Sequence, residues 1–209
     1  MADALDRNRW TGVWNRLGGK GNGLSIFAIL EAAYADPARA YHTAAHIRDC
    51  LDQFDECHRT AARPDEVEAA IWFHDAVYLP GAPDNEEKSA QLASTTLAGA
   101  GVPVEATDRI AELVLATRHL STPRDPDAAL LCDIDLSILG RTHNAFDEFE
   151  QRIRREYSWV PEPVYRRARS EILEGFLARR SIFQTDFFRD RYEAPARANL
   201  ARILQTLRA

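Results

Sequence analysis

The chain has 209 residues, 45% hydrophobic and 28% charged, with a net charge of −6. This composition suits a globular protein and excludes a disordered one, and the lack of a basic surplus argues against general nucleic-acid binding. The longest apolar stretch, Leu24 to Leu30, falls far short of the roughly 18 residues a membrane helix needs. The N-terminus MADALDRNRW has no apolar core of the secretory kind, so no membrane partner and a cytoplasmic location are expected.

Helical periodicity runs along the whole chain, and alternating strands are absent. Leu24, Phe27, Leu30, Ala33 and Tyr34 recur at helical spacing, as do Ile47, Leu51 and Phe54. Before the first of these runs, Gly18, Gly19, Gly21 and Gly23 surround Lys20; the spacing is not that of a phosphate loop and reads as a flexible connection. Pro64 and an acidic first turn open a helix with Val67, Ala70, Ile71 and His74 on one stripe. Asp84 with Glu87 has the form of a capping box opening a helix toward Leu97. Pro103 starts another, with Ile110, Leu113, Val114 and Thr117 along one face, and Pro123 and Pro126 mark a loop. The apolar segment Leu130 to Leu139 closes at Gly140, and Thr142 caps the next helix. Pro161 and Pro163 open a long helix, and Pro195 is expected to open the last. The expected fold is therefore all-α, a single-domain bundle over residues 1–209 with about eight to ten helices.

Charge and cysteine add two expectations. Residues 151–180 hold eight Arg against four Glu, read first as a solvated helix surface and second as a local lure for an anionic substrate. Cys50, Cys57 and Cys132 are too few and scattered for a disulfide framework, and Cys50 and Cys57 are read as small core residues.

Four places concentrate groups that bind metals. His42 and His46 stand four apart and are expected on one helix face. His74-Asp75 ends the apolar run Ala69-Ala70-Ile71-Trp72-Phe73, where an ionisable pair is costly unless partnered. Glu86-Glu87 begins the following helix, and Asp133-Ile134-Asp135 lies inside an apolar segment. A divalent cation would offset the desolvation of these groups together. The mixed nitrogen and oxygen set suits Mn, Fe, Co, Ni or Zn better than Ca. His58 and His143 lie in polar surroundings and read as surface residues.

The order His…His-Asp…Asp on helices resembles the signature of the HD superfamily of metal-dependent phosphohydrolases, and the chain is similar to the predicted phosphohydrolase group within it. The stretches carrying the resemblance are Tyr41 to Ile47, Trp72 to Tyr78, Asn85 to Ala90, Asp133 to Gly140 and Arg155 to Pro161. The resemblance implies an all-α fold and a divalent cation, with Mn, Fe, Co, Ni, Zn and Mg as candidates. It implies His46, His74 and Asp75 as ligands, with Asp135 as the last and Asp133 as the alternative or a supporting partner. His42 is then a candidate general acid. Several relatives place a Glu three or four residues after the dyad; here those positions are Tyr78 and Leu79, so Glu86 or Glu87 is the available acidic helper. Lys88, Arg118 and His119 are candidates for holding substrate, with the Arg166-Arg167-Ala168-Arg169 run as a further phosphate clamp.

The implied activity is hydrolysis of a phosphate ester, of a nucleotide or another small phosphorylated metabolite, by a metal-activated water. A homo-oligomer is compatible with the sequence. Two other readings are a di-iron oxygenase of the HD type, for which only His119 lies between the dyad and the last Asp, and a non-catalytic metal- or nucleotide-binding module.

Overall fold

The computed structural model describes residues 4–208. Their regular structure is entirely helical: ten α-helices, two short 3-10 turns and no strand. The all-α expectation holds. The sequence points to one domain over 1–209; the chain packs as two compact units, Met1–Cys132 and Asp133–Ala209.

The first unit contains α1 (Arg7–Arg16), α2 (Leu24–Tyr34), α3 (Ala44–Cys57), α4 (Pro64–Phe73), α5 (Asn85–Gly99), α6 (Val104–Ala116) and the beginning of α7 (Pro126–Leu136). Its centre is α4, which packs against α1, α3, α5 and α6. Every residue of α4 from Glu66 to Phe73 is buried. A helix apolar nearly all round has no solvent face to offer, so neighbours must enclose it. Its two buried carboxylates are each held by arginine: Glu66 takes both arms of Arg109 at 2.7 and 2.5 Å, and Glu68 binds Arg9 at 2.6 Å and Arg16 at 2.8 Å. The N-terminus of α4 is satisfied across the unit, where the Asp127 carboxylate accepts from the backbone N–H groups of Ala62 and Arg63.

The glycine-rich connection before α2 is tied down rather than loose. Gly23 has φ 66°, and a Cβ there would sit 2.7 Å from the Trp14 ring. The Trp10 indole N–H donates to the Gly23 carbonyl at 2.9 Å, and the Lys20 N–H donates to the Ala100 carbonyl at 2.8 Å. Glycine serves here for backbone conformation and close approach, not for flexibility.

The expected capping box at α5 does not form. Asp84 flanks the helix without a side-chain cap, and its carboxylate accepts from Lys88 instead. Asn85 takes over the local bonding, accepting from the Leu79 N–H and donating to the Leu79 carbonyl, both at 3.0 Å.

The second unit contains the end of α7, a 3-10 turn at Ser137–Gly140, α8 (His143–Glu156), α9 (Glu162–Ala178) and α10 (Asp186–Arg208). Thr142 caps α8 as expected, accepting from the Ala145 N–H. Pro195 does not open the last helix; it lies inside α10. The helix begins nine residues earlier because tertiary bonds fix its start. The fully buried Asp133 carboxylate accepts from the N–H groups of Gln184 and Thr185 and from the Thr185 hydroxyl, at 2.7–3.0 Å. Those bonds satisfy donors at the start of α10, and the exposed Pro195 costs the interior only one backbone hydrogen bond.

Four of the eight arginines of this stretch are paired with glutamate in place. Arg152, Arg154 and Arg166 pair with Glu148 or Glu162 at the surface. Arg169 is mostly enclosed, with 11% of its side chain exposed, both arms on Glu150 and its guanidinium 5.3 Å from the Phe149 ring centre. For Arg169 the reading as a solvated surface residue is therefore corrected. Glu150→Ala would strand that guanidinium, and a loss of roughly 3–5 kcal/mol is expected from breaking one side of a buried pair. Urea unfolding followed by circular dichroism checks this; a change below about 1 kcal/mol would mean that Arg169 reaches water unaided.

Candidate metal centre

Two helix ends place the candidate ligands of the first unit. Thr43, in extended backbone, accepts from the Ala45 N–H and starts α3, so His46 falls in the first turn. At the other end, α4 finishes at Phe73 and His74 closes it, donating its backbone N–H to the Ala70 carbonyl at 2.9 Å. His42 precedes α3 and does not share a helix face with His46. The turn nevertheless brings the two rings to 6.0 Å between centres, and the Tyr78 ring stacks on His42 at 3.9 Å. Arg39 fastens this turn to the dyad, donating to the carbonyls of His42 at 3.2 Å, Asp75 at 2.7 Å and Ala76 at 3.1 Å.

The donor atoms converge closely. His46 Nε2 and His74 Nε2 are 3.1 Å apart, and Asp75 Oδ2 lies 3.3 Å from the first and 3.1 Å from the second. Donors about 2.0–2.2 Å from one cation, at tetrahedral or octahedral angles, lie about 2.8–3.6 Å from one another. The triangle has that size. The hydrogen bonding supports the same conclusion. His74 Nδ1 faces the Ile71 carbonyl at 2.9 Å, and a carbonyl only accepts, so Nδ1 carries the proton. In neutral His74 the lone pair then sits on Nε2, facing a carboxylate oxygen that also only accepts. Two lone pairs at 3.1 Å repel unless a proton or a cation stands between them. A backbone carbonyl fixing the distal nitrogen is also the usual support of a metal-bound histidine.

The electrostatics agree. Burial alone would raise the Asp75 carboxyl, but the neighbouring His74 and His42 charges and hydrogen bonds from His46 and His74 hold it well below the usual range. Burial also raises Tyr34 well above its ordinary value, with the Asp75 charge adding to it, so its hydroxyl stays protonated and donates to the Trp72 carbonyl at 2.8 Å.

The remaining residues singled out in the sequence fall in distinct places. Glu86 is half-buried and raised by desolvation and then by the charges of Asp75 and Glu87. Glu87 binds Arg118 at 2.5 Å, and Lys88 is exposed, on Asp84. His119 follows α6 with φ 55°, a conformation unusual for a side chain of its size. Asp133 is committed to the start of α10, and the half-buried Asp135 lies in the last turn of α7, in the second unit. His58 and His143 are exposed, as expected.

One residue was missed. Cys50 is buried, as read, but its sulfur lies 3.8 Å from both ring nitrogens of His46. The donor atoms of His46, Cys50 and His74 all lie within 4.8 Å of one another. The available signal was the spacing His46-x-x-x-Cys50, which puts both on one face of α3. The described residues thus include a His and Cys cluster that could hold a metal ion, and the donors of His46, His74 and Asp75 have the spacing one ion needs. Comparison with known protein families, with curated proteins and with solved structures returns no match.

In the metal-free chain, the ionisation of Asp75 contributes stability above its ordinary value of 3.8 that is lost as pH falls toward its lower folded value. The stability gap between wild type and Asp75→Asn should therefore shrink as pH falls from about 6 to about 2.5. Urea titrations at a series of pH values measure the gap, and one that stays constant would mean that Asp75 is not held as a carboxylate.

Proposed function

We propose that the chain is a metal-dependent phosphohydrolase of the HD type, acting as one functional domain. The observation that carries this reading is the buried convergence of His46 Nε2, His74 Nε2 and Asp75 Oδ2, with the His74 tautomer fixed by Ile71. Asp135 is proposed as the fourth ligand on the order of the residues in the sequence. Its rival Asp133 has its lone pairs taken by Gln184 and Thr185, which favours Asp135. A divalent cation held by these groups supplies an acidified water and polarises a phosphoryl oxygen.

The protein's own residues do the rest. His42 lies close to the ligands, held by the Arg39 clamp and the Tyr78 stack, and is assigned the proton donated to the leaving alkoxide. Glu86 is assigned as the acidic helper in preference to Glu87, because Glu87 is engaged by Arg118 while the Glu86 carboxyl titrates upward beside the site. Arg118 and His119 remain the candidates for a substrate phosphate, with Arg118 exchanging Glu87 for it. Lys88 would have to leave Asp84 to take part. The substrate class proposed is a nucleotide or other small phosphorylated metabolite, and the resemblance supports it.

Metal analysis and a phosphatase screen across metals and esters test the reading. His74→Ala and Asp75→Ala should lose bound metal while keeping their helix content. Full metal occupancy in either variant, or no hydrolysis of any ester with any of Mn, Co, Ni, Zn or Mg, would overturn it. Asp135→Asn should lose metal, whereas Asp133→Asn should keep it and lose stability instead; the reverse ranking would move the ligand to Asp133.

His42→Ala is expected to retain metal and lose roughly 10²–10⁴-fold in turnover, the range for a positioned acid. The loss should be smaller with a nitrophenyl ester, whose leaving group needs little protonation. Metal loss in His42→Ala would make His42 a ligand.

A further inference from the structure

We infer that Asn85 and Ser89 of α5 are positioning residues for the proton donor, acting on His42 through Tyr78. Their role rests on the assignment of His42 as proton donor and adds what sets the stacked ring in place.

Asn85 and Ser89 stand one turn apart and so share a face of α5. Both are buried, Ser89 completely, and buried polar side chains need hydrogen-bond partners. They find them on the segment that follows the dyad. Ser89 Oγ accepts from the Val77 N–H at 3.0 Å and donates to the Val77 carbonyl at 3.1 Å. Asn85 does the same for Leu79, accepting from its N–H and donating to its carbonyl, both at 3.0 Å. The residue between these two bonded positions is Tyr78. Its ring lies on the His42 imidazole at 3.9 Å, with 27° between the planes.

Two anchors thus divide the turn after α4. Arg39 holds the carbonyls of Asp75 and Ala76, while α5 holds Val77 and Leu79. The dyad belongs to the first anchor and the Tyr78 ring to the second. Backbone bonds on both sides of Tyr78 keep its Cα from drifting, so the stacked ring can fix the plane of the His42 imidazole. A proton donor held in one orientation is what the chemistry needs, since a misplacement of about 1 Å costs roughly 10²-fold in rate.

Histidine resonances report the stack without reference to activity. The full-length protein is prepared with isotope-labelled histidine, and the His42 ring protons are identified by their loss in His42→Ala. They are expected upfield in wild type, where the Tyr78 ring current reaches them. They should return to ordinary positions in Tyr78→Leu and stay upfield in Tyr78→Phe. In Ser89→Ala they should move part of the way, and likewise in Asn85→Asp, whose carboxylate cannot donate to the Leu79 carbonyl. Ser89→Ala and Asn85→Asp should keep bound metal and KM but lose about tenfold or more in turnover with an alkyl phosphate, and less with a nitrophenyl ester. In the Tyr78→Leu background neither should cost anything further, because residues acting through one another are not additive.

His42 signals unmoved in both α5 variants, metal loss in either, or losses that add fully to that of Tyr78→Leu would overturn the role of Asn85 and Ser89 and leave His42 as the donor. Wild-type turnover in His42→Ala would overturn both. The wild-type spectrum keeps the test decisive if the α5 variants fold poorly: ring protons at ordinary positions would mean that Tyr78 does not hold His42.

Discussion

The arrangement at His46, His74 and Asp75 depends on a proton or a cation held among their donor atoms. His46 Nε2, His74 Nε2 and Asp75 Oδ2 meet within 3.3 Å, and the Ile71 carbonyl holds a His74 proton on Nδ1, so neutral His74 brings only a lone pair to the cluster. A proton shared among them can satisfy the cluster for a time, and it accounts for the depressed Asp75 carboxyl. A divalent cation satisfies all three at once. The protein holds the donors at that spacing through the fold: the N-terminus of α3, the C-terminus of α4 and the Arg39 clamp each fix one part.

The enclosure of α4 makes this geometry rigid. A helix buried from Glu66 to Phe73 cannot shift along its axis without repacking four neighbours, so the dyad at its end is fixed in depth. Its two carboxylates, Glu66 and Glu68, show the same economy of charge as the metal cluster. Each is buried, and each is held by arginine from a neighbouring helix. In the second unit, Arg169 with Glu150 and Asp133 with the start of α10 repeat the pattern.

Buried charge in this protein therefore has two kinds of partner. Arginines and helix-end N–H groups answer Glu66, Glu68, Glu150 and Asp133, and these carboxylates are structural. The side chains of His46, His74 and Asp75 bring their donor atoms to one another. That difference separates a structural carboxylate from a candidate ligand more reliably than position in an apolar run, since Asp133 and Asp75 occupy similar sequence settings.

The sequence by itself determined the helices and the chemistry of the dyad. Apolar positions at helical spacing imply helices because only that period gathers them onto one face, and His74-Asp75 after a fully apolar run implies a partner because burying the pair alone is too costly. Tertiary structure decided what depends on residues far apart in the chain. The start of α10 is set by Asp133, some fifty positions earlier, and not by Pro195. The Asp84 side chain turned to Lys88 rather than to its own helix end, and the glycines before α2 were required by Trp14 and Trp10. Cys50 shows the division most plainly. Its spacing from His46 was readable, but a buried cysteine on a helix ordinarily donates to the carbonyl one turn back, as Cys57 does. The Cys50 sulfur instead lies against the His46 ring one turn back on α3, and the packing of α3 against α4 brings the His74 imidazole to that same ring.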